Sequence, residues 1–181
     1  GAIFDYFLYL TGIDTTVGPG FRQQFSPEFL QVLDGYVAGC NAYAETHREE
    51  LLVRNLLPFT AEDVIRGYVL ELSLMQGMGM AAFAVFKDRV ERMLNPNIRP
   101  GGSNSMAVGP SRTPEQVPYL LANSHQPMEG RFAWYEAHVT SDEGTNMLGA
   151  TFPGGVSLFI GTNERLGWTH TVNYHNFGDT Y

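Results

Sequence analysis

The chain has 181 residues, of which 44% are hydrophobic and 17% charged, so it is long enough to bury a core and too apolar to be disordered. Its formal net charge of −8 and the absence of any Lys/Arg cluster set aside nucleic acid and anionic membrane as partners, because both demand concentrated positive charge. The single cysteine, Cys40, excludes an internal disulfide; at helical spacing among apolar neighbours, it is expected to pack as a small buried hydrophobe.

The opening GAIFDYFLYL contains Asp5 and no basic leader, which is not the pattern of a signal peptide. No stretch approaches the roughly 20 apolar residues of a membrane-spanning helix. The chain begins in mid-pattern and stops at Tyr181 inside a strand-like run, so it is expected to be a piece of a longer protein. Ser26-Pro27-Glu28 combines a cap, a first-turn proline and a first-turn acid. Leu30, Leu33, Val37, Cys40 and Ala44 follow at steps of three and four, which predicts an amphipathic helix. Gly35 and Gly39 lie within it and would permit close packing.

Thr60-Ala61-Glu62-Asp63 is a second cap with acids in the first turn, and the apolar run from Val64 predicts another helix. Gly77-Met78-Gly79-Met80-Ala81-Ala82 fits a dinucleotide-binding fingerprint only superficially. That fingerprint needs a preceding strand and an acid about 20 residues on, whereas this segment continues a helical pattern. Its methionines and glycines suit a core or an adaptable apolar pocket. Periodicity resumes through Phe83, Phe86, Val90 and Leu94 and ends at Asn95-Pro96-Asn97.

Arg99-Pro100-Gly101-Gly102 is a flexible run that stops at Ser103-Asn104, after which Met106 and Val108 alternate like the start of a half-buried strand. Short β-type runs separated by Gly, Pro and Asn then predict strands over 105–108, 119–122, 132–139, 147–151, 156–162 and 166–173. Their close spacing requires antiparallel pairing, because parallel strands need longer crossovers. No internal repeat interrupts the succession of helices and then strands, an α+β chain.

A serine hydroxyl is a weak nucleophile and needs an adjacent base. No serine here sits in a G-x-S-x-G elbow, Ser157 after Pro153-Gly154-Gly155-Val156 included. GSNSMAVGPSRT from Gly102, then LLANSHQP, FPGG and LGWTHTVN, resemble in order and spacing the penicillin acylase family of N-terminal nucleophile hydrolases, which includes acyl-homoserine-lactone acylases. The resemblance covers about residues 25 to 181 and is strongest after residue 102.

That resemblance implies an αββα sandwich, here partial. It also implies self-cleavage between Gly102 and Ser103, with residues 1–102 the end of an α-subunit and 103–181 the start of a β-subunit. Ser103 would be nucleophile and base together. His125, twenty-two residues on in Asn123-Ser124-His125-Gln126-Pro127, would support it in the environment of the oxyanion and α-amine. Val172 would lend its backbone N–H to the oxyanion hole, a role that tolerates valine. The neighbouring His170 receives no catalytic role from the resemblance, and the family's catalytic asparagine and arginine would follow Tyr181. Gln126 replaces an aromatic that many relatives carry at the acyl pocket, so acyl preference does not transfer.

No cofactor is implied beyond a structural calcium. Asp179 falls on one of its carboxylate ligands, but Asn176 stands where another aspartate would be and the position near Thr60 is not acidic; calcium needs six to eight oxygens. The expected function is hydrolysis of a linear amide in a small N-acyl substrate, with long-chain acyl-homoserine lactone favoured by the Met-rich helix. A β-lactam or acyl-peptide side chain is the alternative, and an uncleaved, non-catalytic binding relic is the reading from another class. The expected partner is the remainder of the β-subunit, in a periplasmic or extracellular setting implied by the family.

Overall fold

The computed structural model describes residues 2–78, 102–130 and 132–172, and the chain divides into two compact units, residues 1–82 and 83–181. The first is helical. Helices α1 (Ala2–Thr11) and α2 (Ile13–Thr16) are separated by Gly12, whose φ of 67° is left-handed, a conformation glycine adopts at little cost. A short 3₁₀ turn at Phe21–Gln24 leads to α3 (Pro27–Thr46), and α4 (Ala61–Ser73) runs on into a π-type turn at Leu74–Met78.

Both expected caps form. Ser26 Oγ accepts from the Phe29 N–H at 3.3 Å, with Pro27 opening the helix. At α4 the box is reciprocal: Thr60 Oγ1 accepts from the Asp63 N–H at 3.3 Å, and the Asp63 carboxylate accepts from the Thr60 N–H at 2.8 Å. The α3 stripe faces inward as its period requires, with Leu33 and Ala44 buried and Leu30, Val37 and Cys40 half-buried. Cys40 is therefore less enclosed than its spacing predicts. Gly35 and Gly39 are exposed, and a Cβ on either would meet nothing within 4 Å; among the described residues no close approach requires glycine there. Asn41 ties the connecting segment to α3, donating to the Phe59 carbonyl at 2.9 Å and accepting from its N–H at 3.1 Å. The helical run expected from Phe83 to Leu94 lies outside the described residues, as do Gly79 to Ala82.

The second unit holds two antiparallel sheets. Strands β1 (Ser103–Val108) and β2 (Tyr119–Ser124) pair alone, with Ser103 opposite Ser124 and Val108 opposite Tyr119. Strands β3 (Tyr135–Thr140), β4 (Asn146–Thr151), β5 (Ile160–Thr162) and β6 (Gly167–Trp168) form a second sheet in sequential order. Helices followed by antiparallel sheets make the chain α+β, consistent with part of an N-terminal nucleophile hydrolase sandwich. Phe152, at 1% exposure, anchors the unit. It stacks on Trp134 with centroids 4.4 Å apart and packs against Phe159 at 5.4 Å.

Three strand expectations are corrected. Residues 132–134 stay out of β3 because Gly130, at φ 85°, turns the chain and the Ala133 N–H bonds its carbonyl at 3.1 Å. Residues 156–159 follow a turn at Gly154, φ 87°, and only Ile160–Thr162 form the strand. Of the strand expected over 166–173 only Gly167–Trp168 forms: Leu166 is consumed by a turn in which Asn163 Oδ1 accepts from the N–H groups of Arg165 and Leu166, both at 2.8 Å, as asparagine side chains commonly do, residues 169–172 are outside the ladder, and Asn173 lies outside the described residues.

Candidate functional site

The ladder takes in Ser103 itself, two residues before the strand expected from the alternation at Met106. The His125 N–H donates to the Gly102 carbonyl at 2.9 Å, which extends the β1–β2 pairing one residue past Ser103 and Ser124. Ser103 is thus held in an extended backbone on both sides, and it is half-buried.

Its side chain has a specific partner. The Val172 N–H donates to Ser103 Oγ at 3.0 Å, across 69 residues of sequence. A hydroxyl that accepts such a bond keeps its own proton free to give away, and negative charge growing on Oγ would strengthen the bond. The structure therefore brings together four of the residues singled out in the sequence: Gly102, Ser103, His125 and Val172.

The His125 ring is fixed between neighbours. Asn123 Nδ2 lies 3.3 Å from its Nε2. Its Nδ1 turns toward Gly102, where a Cβ would come within 3.3 Å. His170 is placed differently. Its ring packs against Phe159, tilted by 41° with centroids 4.6 Å apart, an aromatic contact that suits a packing role.

The sequence did not single out Ser124 or Trp134. The Trp134 indole N–H donates to Ser124 Oγ, joining the residue opposite Ser103 to the aromatic group of Trp134, Phe152 and Phe159. The signal lay in the tryptophan itself, whose N–H usually finds an acceptor when it is enclosed. A cavity in this unit, about 940 Å³, is lined by Ala107, Val108, Tyr119, Leu148 and Trp168 among others. It sits at the far end of β1, and Ser103 does not line it.

Among the described residues no group of three His, Cys, Asp or Glu side chains gathers, and Thr60 is engaged with Asp63 in the α4 cap. Asn176 and Asp179 lie outside the described residues. No described helix is long and apolar enough to cross a membrane.

Comparison with known proteins places this geometry in context. The model of a family described as penicillin amidase matches residues 2–181. An acyl-homoserine lactone acylase PvdQ of Pseudomonas fluorescens (strain Pf0-1) is 29% identical over 84% of this chain and 22% of its own length. The protein of that name from Pseudomonas savastanoi pv. phaseolicola is 30% identical over 81% of this chain and 22% of its own length. Aculeacin-A acylase of Actinoplanes utahensis is 32% identical over 40% of this chain and 9% of its own length. The chain thus spans about a fifth of the length of the PvdQ relatives, 22% in both.

Proposed function

The chain belongs to the penicillin amidase family, and on that footing we propose that it carries the nucleophile of an amide hydrolase that frees its own active serine. Residues 1–102 are then the end of an α-subunit with its processing segment, and 103–181 the start of the β-subunit that stays with it as a heterodimer.

Self-cleavage comes first. Ser103 Oγ attacks the Gly102 carbonyl carbon, the C–N bond to Ser103 breaks, and the Oγ proton passes to the departing nitrogen. Water hydrolyses the resulting ester, giving a Gly102 carboxylate and a Ser103 with free hydroxyl and amine. In turnover the α-amine takes the Oγ proton as Oγ attacks the amide of an N-acyl substrate, then returns it to the leaving amine. The Val172 N–H holds the developing oxyanion and His125 supports the site. Water releases the acyl group, and the reaction needs no cofactor.

The bond of 3.0 Å from the Val172 N–H to Ser103 Oγ supports this reading most, because it sets a backbone donor against the one atom that must become a nucleophile. Acyl-homoserine lactone is the substrate class the PvdQ relatives' names favour, and aculeacin A, from the name of another relative, is the second. The Met-rich helix that also suggested a long acyl chain lies largely outside the described residues.

The test is the mass of the full-length protein. The wild type should appear as two chains divided between Gly102 and Ser103, and Ser103→Ala as one. A Ser103→Ala chain still cut at that bond would end the proposal, and so would a wild type that stays whole and inactive, as a binding relic would.

A further inference from the structure

The two backbone donors at the site hold different oxygens. Val172 N–H is bound to Ser103 Oγ at 3.0 Å, whereas His125 N–H is bound to the Gly102 carbonyl oxygen at 2.9 Å. When Oγ attacks the Gly102 carbonyl carbon, the negative charge that develops on a carbonyl oxygen develops on this one. A donor that stabilises a transition state must already face the atom that gains charge, and His125 N–H does.

We propose that the backbone N–H of His125 is the oxyanion donor of the self-cleavage step, a role that rests on the processing reaction proposed above. The ladder makes this possible. Gly102 and His125 stand one residue beyond the pair Ser103 and Ser124, so the scissile carbonyl is part of a β-rung and cannot rotate away from its donor. In the step, the Oγ–C bond forms, the C–N bond breaks, the Oγ proton goes to the Ser103 nitrogen, and the charge passes transiently through an oxygen held by His125. Val172 N–H meanwhile steadies Oγ as its proton leaves. Glycine at 102 suits the arrangement, because a Cβ there would press within 3.3 Å of His125 Nδ1 and push the histidine from the rung.

An amide-to-ester exchange removes the N–H and keeps the side chain. The full-length precursor is made by cell-free translation with a suppressor tRNA carrying the α-hydroxy analogue of histidine at position 125. A second precursor carries the leucine analogue at Leu121, which pairs with Met106 in the same ladder. The rate at which chains ending at Gly102 appear is followed by mass. The ester at 125 should slow cleavage by about 10²- to 10³-fold, the loss typical of an oxyanion donor, while the ester at 121 stays within a few-fold of wild type. Equal rates for the two esters, whether both slow or both normal, would overturn the role of His125 and leave processing at Ser103 standing. A wild type that never splits between Gly102 and Ser103 would overturn both.

Discussion

The proposed chemistry rests on one serine and the groups that reach it. If the base is the α-amine freed at Ser103, it works only when neutral, so kcat/KM should fall as pH drops through a value near ~7.7, or lower where an apolar site disfavours the ammonium. A histidine base would start from about 6.5, so the profile alone does not separate them. Variants do: His170→Ala should keep the acidic limb, because His170 packs on Phe159, whereas chemical blocking of the α-amine in the processed enzyme should abolish turnover. A blocked enzyme that still turns over would assign the proton to a side chain. Packing behind the site depends on Phe152, at 1% exposure between Trp134 and Phe159. Phe152→Ala should cost about 3–5 kcal/mol, the range for emptying a buried phenylalanine site. A urea midpoint unchanged from wild type would contradict that packing.

The helices were legible in the sequence because their signals are local. Ser26-Pro27-Glu28 and Thr60 with Asp63 carry their own caps, and both helices start where those residues stand. The strands were legible in number and pairing but not in extent, because Asn163 Oδ1 and the left-handed glycines 130 and 154 take residues out of the ladder. At the site, Ser103, His125 and Val172 were nameable through the family resemblance, but the Val172 contact spans 69 residues and the Trp134 bond joins the segment before β3 to Ser124 of β2, so neither could be read from local pattern. Gly149 in β4 shows the same limit. A Cβ there would meet the Ile160 carbonyl and stand 2.7 Å from Gly161 Cα, so Gly149→Ala should force β4 and β5 apart and lower the melting temperature, a shift that calorimetry would read. Arg22, in the 3₁₀ turn before α3, grips Asp34 of α3 through two bonds, at 3.0 and 2.6 Å, and this holds the Asp34 carboxyl below its ordinary value of 3.8. A lowered carboxylate gives stability that is whole above the unfolded value and is lost as pH falls through the folded one. Asp34→Asn should therefore flatten the stability curve below about pH 4, with an effect that salt reduces because the pair is exposed. Identical acid limbs for the two proteins would contradict it.

The whole chain is two units, residues 1–82 and 83–181, whereas the proposed cut falls at 102/103, inside the second. A cleavage point need not coincide with a boundary of packing, since what it requires is a carbonyl and a nucleophile held together. The second unit leaves much apolar sheet uncovered: Met106 is 57% exposed, Tyr119 52% and Leu148 46%. Apolar surface gathered in this way marks a place where something else packs, so the 181-residue chain by itself should bind a hydrophobic dye or self-associate. A monomer that leaves the dye dark would show that these faces are covered. The central claim, that Ser103 becomes an N-terminal nucleophile, is tested most directly by labelling the full-length processed protein with a serine-directed sulfonyl fluoride and locating the adduct by peptide mass. The account predicts one adduct, on Ser103 as the first residue of the second chain, with turnover lost in proportion to labelling; full labelling and inactivation through any other residue would contradict it.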